Sequence, residues 1–206
     1  MSAVDQSKKL RVGVLISGRG SNLGALIDAA KSETFPARMV VVISNRADAP
    51  GLELARSAGI ETHIIPHKDF PDRQKFDAEL TARLRTHNVD LVCLAGFMRI
   101  LSEEFVTYWA GRLINIHPSL LPAYKGLNVH QRMIDDRVEV AGCTVHYVTK
   151  DMDAGPIIGQ RSVRVKPGDT ADDLAARILR EEHILYPECV KRVAQTKRGA
   201  QSPGAN

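Results

Sequence analysis

Apolar positions along the chain fall into two alternating patterns. Short unbroken runs rich in Val, Ile and Leu recur at RVGVLIS (11–17), RMVVVIS (38–44), ETHIIP (61–66), DLVCLAG (90–96) and RLINIH (112–117). Runs of this kind predict strands buried on both faces, as in a parallel sheet. Between them the apolar residues step at helical intervals: Leu23, Leu26, Ile27 and Ala30 share a face, as do Phe76, Leu80 and Leu84. Strand alternating with helix predicts a doubly wound α/β sheet. The last third changes character, because AGCTVHYVT (141–149) alternates and IIGQRSVRVK (157–166) follows a loop rich in Asp and Gly. That predicts an antiparallel C-terminal addition to a mostly parallel sheet. A final helix is expected to start near GDTADDLAARIL, capped by Thr170, with Asp172 and Asp173 at its positive end. QTKRGAQSPGAN lacks large apolar residues, so 195–206 is expected to be flexible, like 1–9, flanking a single domain at 10–194.

Composition narrows the function. A chain of 206 residues, 44% hydrophobic, has the material for one good core. Lys and Arg number 28 against 24 Asp and Glu, but the charges are scattered. This suits a small anionic substrate rather than a nucleic acid, which would call for a basic stripe with interleaved aromatics, and aromatic residues make up only 5%. Cys93, Cys143 and Cys189 are widely spaced and odd in number, which predicts reduced, buried thiols. His63, His67, His87 and His183 show no ligand spacing with a third donor, so no metal is expected. No segment has the length and apolarity of a signal peptide or membrane span, and a cytoplasmic location without a membrane partner is expected.

SGRGSN (17–22) lies between the first predicted strand and the first helix, where backbone amides at a helix start can hold an anion. A dinucleotide fingerprint is disfavoured. The third glycine, Gly24, falls one position late, and the second strand ends in Ser44, Asn45 and Arg46 without an acidic residue. There is also no GKS or GKT, which leaves a site for a single phosphate group or a tight turn without a ligand.

Asn115 and His117 are two apart on a predicted strand that Pro118 ends, so both project from one face at the strand's carboxyl end, where open α/β sheets bind ligands. In KDMDAGPII, Asp151 and Asp153 precede Gly155 and Pro156, a rigid loop able to present a carboxylate to a histidine; Asp151 fits a turn-stabilising role equally well. These groups suit acyl transfer to an amine. Asn115 and His117 would stabilise the tetrahedral oxyanion, and Asp153 would orient the imidazole and move protons. No activated nucleophile is evident, so direct transfer without a covalent enzyme intermediate is expected. Thr144 and His146 share a face and are a candidate support for a proton-relaying water, the alternative for His146 being a packed strand histidine.

Together SGRGSNL, LAGFMRIL, NIHPSLLP and GCTVHYV with DMDAGPII resemble the phosphoribosylglycinamide formyltransferase family, from about residue 10 to about residue 190. The resemblance implies a Rossmann-like sheet and formyl transfer from 10-formyltetrahydrofolate, a co-substrate, to glycinamide ribonucleotide in purine synthesis. It places Asn115, His117 and Asp153 as the essential trio. Gly20, Ser21 and Asn22 would hold the substrate phosphate, and Glu182 the ribose hydroxyls. Folate contacts are implied at Arg73, near the folate's carboxylate tail, and at Met98, Arg99, Ile100, Leu101, Val106 and Leu113. The loop from Val148 through Lys150 to Asp153 would close over the pterin. Lys150 stands where the pattern favours an acidic or apolar residue, and Arg19 where some members have Asn.

Sister enzymes share the HPSLLP strand end and the Asp loop. Methionyl-tRNA formyltransferase carries a further C-terminal domain and formyltetrahydrofolate hydrolase a further N-terminal one, so the length of this sequence favours the ribonucleotide enzyme. A non-catalytic folate- or nucleotide-binding protein is the alternative from another class. A monomer or homodimer is expected.

Overall fold

The computed structural model describes residues 9–201. Seven strands form one sheet: β1 (Leu10–Ile16), β2 (Ala37–Ser44), β3 (Glu61–Ile64), β4 (Leu91–Leu94), β5 (Leu113–His117), β6 (Val140–Tyr147) and β7 (Ile157–Arg164). Their spatial order is β3-β2-β1-β4-β5-β6-β7. Pairings from β3 through β5 are parallel, while β6 and β7 add antiparallel, so the sheet is mixed as its sequence pattern predicts.

Six α-helices cover the sheet: α1 (Ser21–Ala30), α2 (Gly51–Ser57), α3 (Arg73–Thr86), α4 (Glu103–Tyr108), α5 (Val129–Asp135) and α6 (Ala171–Gln201). Alternate strand residues feed two cores. Val12, Val14 and Ile16 of β1 join Leu23 and Leu26 of α1, and Ile178 and Tyr186 of α6, on one face. Leu15 joins Phe76, Leu80 and Leu84 of α3 and Trp109 on the other. Burial on both faces explains why the central strands read as unbroken apolar runs. Tyr186 crosses the layers, its hydroxyl within 2.9 Å of the Leu94 carbonyl and 3.3 Å of that of Ile114, so α6 is tied to the middle of the sheet.

The helix starts follow local chemistry. Asp72 caps α3 by accepting from the Lys75 amide at 2.7 Å. At α6, Thr170 and Asp173 cap reciprocally: the Asp173 amide donates to the Thr170 hydroxyl at 3.2 Å, and the Thr170 amide donates to the Asp173 carboxylate at 3.0 Å. Helix α6 continues to Gln201, so it includes residues 195–201 of the segment expected to be flexible. Val193 and Ala194 are buried just before it, and Gln, Lys, Arg and Ala extend a helix readily once it is anchored. The expectations for 1–8 and 202–206 lie outside the described residues.

The chain runs β1, β2, β3 outward in one direction and then returns to place β4 on the other side of β1. That reversal opens a crevice at the carboxyl ends of β1 and β4. Ser17 stitches it. Its hydroxyl donates to Asn45 Oδ1 at 2.6 Å and accepts from the Met98 amide at 2.8 Å, joining the loops that follow β1, β2 and β4.

Candidate active site

Strand β5 carries Asn115 and His117 on one face, and the antiparallel register sets Asn115 opposite His146 and His117 opposite Thr144 on β6. The loop after β6 returns Asp153 to the same place. His117 Nδ1 lies 3.5 Å from Asp153 Oδ2, and His146 Nε2 lies 3.7 Å from Asp153 Oδ1. The side chains of His117, His146 and Asp153 are only 8%, 3% and 12% exposed, so their interactions are weakly screened by water.

Backbone carbonyls fix both imidazoles. His117 Nε2 donates to the Tyr124 carbonyl at 2.8 Å, which leaves Nδ1 towards Asp153. His146 Nδ1 donates to the Tyr147 carbonyl at 2.9 Å, so in the neutral ring Nε2 is an acceptor, and the Asn115 amide stands 3.4 Å from it. Burial pushes the His146 pKa down, and the neighbouring Asp153 charge only partly opposes this. His146 is thus a neutral acceptor that orients Asn115. Asp153 is held in turn, its Oδ2 accepting from the Gly126 amide at 2.9 Å. Its backbone has φ of 48°, a left-handed conformation that Asp tolerates better than most residues. Gly155 permits the loop's close return, because a Cβ there would collide with the Tyr147 carbonyl, the group that fixes His146.

These residues lie on a cleft of about 680 Å³ whose walls include Met98, Arg99, Ile100, Leu101, Val106, Val148 and Lys150, with Arg73 at its edge. Arg73, Arg99 and Lys150 are exposed cations along it. Leu113 is corrected: it is completely buried beneath the floor and absent from the wall, and it contributes through its carbonyl, which accepts from the Val148 amide at 2.9 Å. Thr144 is corrected too. Its hydroxyl donates to the Ser119 carbonyl at 2.6 Å and accepts from the Leu121 amide at 3.0 Å and Gln160 Nε2 at 2.9 Å. One donor and two lone pairs are then all used, so this hydroxyl has no bond to offer a relay water; it braces the turn after His117 instead.

The glycine loop stands two strands away at the same carboxyl edge. Gly20 precedes α1 with φ of 74°, and a Cβ there would meet Gly51 Cα at 2.7 Å, so both conformation and space require glycine. Asn22, in the first turn of α1, donates to Glu182 of α6 at 2.7 Å. Both side chains are buried, and Asn22 Oδ1 has no partner among the described residues. Burial raises the Glu182 pKa, while the bond from Asn22 opposes the rise. A buried Glu182 excludes the ordinary solvated helix charge.

The structure adds participants that spacing did not single out. The Gly126 amide and the Tyr124 carbonyl position Asp153 and His117, and His130 of α5 lines the cleft, its pKa lowered by burial and then by His117. Backbone groups leave no mark on residue type. The histidines scanned for metal spacing also gain a companion: Glu61, His63 and His87 converge, away from the cleft.

The chain has relatives among known proteins. The chain is 49% identical over 178 residues to the phosphoribosylglycinamide formyltransferase of Escherichia coli, covering 86% of this chain and 84% of that protein. It is 50% identical over 201 residues to the bovine trifunctional purine biosynthetic protein adenosine-3, covering 98% of this chain and spanning only 20% of that relative's length. A crystal structure of glycinamide ribonucleotide transformylase 1 from Symbiobacterium toebii superposes with a TM-score of 0.90 at 48% identity, covering 95% of this chain and 94% of the other. Residues 10–190 match the formyl transferase family, to which this chain belongs.

Proposed function

We propose that the chain transfers the formyl group of 10-formyltetrahydrofolate to the amine of glycinamide ribonucleotide, giving formylglycinamide ribonucleotide and tetrahydrofolate. The observation that carries this reading is the convergence of Asn115, His117 and Asp153 in a cleft also lined by the cations Arg73, Arg99 and Lys150. The names borne by relatives that match along most of this chain support it.

In the reaction the amine lone pair attacks the formyl carbon, the carbonyl becomes an oxyanion, and the bond from carbon to folate N10 breaks as that nitrogen takes up a proton. Asn115 has a second amide hydrogen beyond the one facing His146, free for the oxyanion. In the imidazolium form, His117 Nδ1–H stands 3.5 Å from Asp153, longer than a charge-assisted hydrogen bond, so it is available to the oxyanion too. Asp153 accepts the proton released by the attacking amine, directly or through water, and returns it to N10. Arg73, Arg99 and Lys150 suit the carboxylate tail of the folate, whose ring system would lie along Met98, Ile100, Leu101, Val106 and Val148. Gly20, Ser21 and Asn22 at the start of α1 suit the ribonucleotide phosphate, and Glu182 would accept from ribose hydroxyls.

The test offers 10-formyltetrahydrofolate with glycinamide ribonucleotide, initiator methionyl-tRNA or water alone and identifies products by mass spectrometry. Formylated ribonucleotide is expected. Formyl-tRNA or free formate as the main product would assign a sister activity, and no turnover with any acceptor would make this a binding protein.

A further inference from the structure

We infer that Glu61, His63 and His87 form a transition-metal site of the zinc class, separate from the formyl-transfer cleft. Glu61 and His63 lie two apart on β3 and so share a face, and β3 is the edge strand, paired only with β2. His87 immediately follows the last residue of α3. The fold thus delivers one donor from a helix end and two from a strand edge, 24 residues separating the histidines.

The donor atoms have the spacing a small dication needs. The two Nε2 atoms are 3.1 Å apart; Glu61 Oε1 is 3.1 Å from that of His63 and 3.6 Å from that of His87. Zinc binds nitrogen and oxygen at about 2.0–2.2 Å in tetrahedral sites, which puts neighbouring ligand atoms roughly 3.3–3.5 Å apart. The imidazoles are tilted by 49° and meet through their nitrogens rather than stacking face to face. Without a cation the cluster is awkward. A single proton on His63 Nε2 cannot serve both His87 and Glu61 well, whereas one dication satisfies three lone pairs at once. Both imidazoles are largely buried, at 22% and 15% side-chain exposure, while Glu61 at 59% faces water, which would supply the fourth ligand. Arg83, a cation one turn back on α3 that acts on His63, is already paired with Glu79 at 3.1 Å. None of the three donors lines the cleft, so the metal would pin the end of α3 to the sheet edge and stay out of the chemistry.

Calorimetric titration of the chelator-stripped full chain with Zn²⁺ tests the site. One equivalent should bind, and at about 100-fold excess over the dissociation constant the melting midpoint should rise by roughly 5–10 °C. His63→Ala and His87→Gln should each weaken binding by at least about 10- to 100-fold, while His183→Gln should leave it unchanged. Should a histidine variant fail to fold, the exposed Glu61→Gln reads the same loss, and formyl-transfer rates should not move in that variant. Absence of saturable binding in the parent chain, or equal affinity in parent and variants, would overturn the assignment.

Discussion

At the carboxyl end of β1, Asn22 of α1 and Glu182 of α6 are 8% and 7% exposed and hydrogen-bonded to each other, next to a glycine loop packed against backbone. Around the cleft beyond β4 and β5, Met98, Ile100, Leu127 and Met152 are 71%, 61%, 79% and 57% exposed, although large apolar side chains normally seek burial. The first region is pre-shaped and polar and can select a ligand without moving. The second has apolar surface still to be covered, so its occupant must supply much of the burial, at about 25 cal/mol per Å² of apolar surface removed from water. Between them stand Asn115, His117 and Asp153. Under the proposed function, a rigid end would fix one substrate and an open end would be covered by the other, bringing two molecules into register at a single carboxylate.

The largest effect is expected at that junction. Asp153→Asn keeps the shape and the Gly126 contact and removes the charge and the proton acceptor. The turnover number should fall by about 10²- to 10⁴-fold with both Michaelis constants changed little. Steady-state kinetics with each substrate varied in turn measures this, and near-normal turnover would remove Asp153 from the proton path.

Gly20→Ala tests the closed end next. The added methyl meets Gly51 Cα at 2.7 Å on a residue with φ of 74°, so the loop must shift. About 1–3 kcal/mol of strain corresponds to a roughly 5- to 150-fold rise in the Michaelis constant for the ribonucleotide. A rise for the folate alone would show that the two pockets have been exchanged. Arg73→Ala tests the open end with a smaller effect, because an exposed cation facing a mobile carboxylate is worth about 0.2–1 kcal/mol. The folate Michaelis constant should rise roughly two- to fivefold, with less loss at high ionic strength, and the ribonucleotide constant should stay put.

How much of this was legible in sequence depends on whether the signal was local. The strands were readable because burial on both faces demands β-branched runs, and Asn115 and His117 because spacing of two on a strand sets them on one face. Thr144 shows the limit. Alternation gave its face but not the Ser119 carbonyl and Gln160 amide that occupy its hydroxyl. Leu113 and Val148 both belong to the implied folate contacts, yet only Val148 reaches the wall, since Leu113 is completely buried in the same cluster as Phe97 and Val106. Helix α6 outran its apolar pattern because its anchor, Tyr186, lies fifteen residues before its end. The meeting of His63 with His87 needed the whole of α3 to be placed.

The smallest predicted effect isolates the closed end's rigidity from its binding role. Burial raises the Glu182 pKa, so the native state holds a proton there more tightly than the unfolded chain. Its contribution to stability is then greatest below the ordinary glutamate pKa and is lost as pH rises through the native value, because the charged form must be kept dry. Glu182→Gln retains an acceptor for Asn22 and cannot ionise. Its melting midpoint should exceed that of the parent by about 1–3 °C at pH 8, and the difference should close towards pH 4. Calorimetry across that range measures it. Weaker ribonucleotide binding at pH 8 in the same variant would show that the carboxylate is kept, at a cost in stability, for the ribose hydroxyls; unchanged binding would make Glu182 a brace for Asn22 alone.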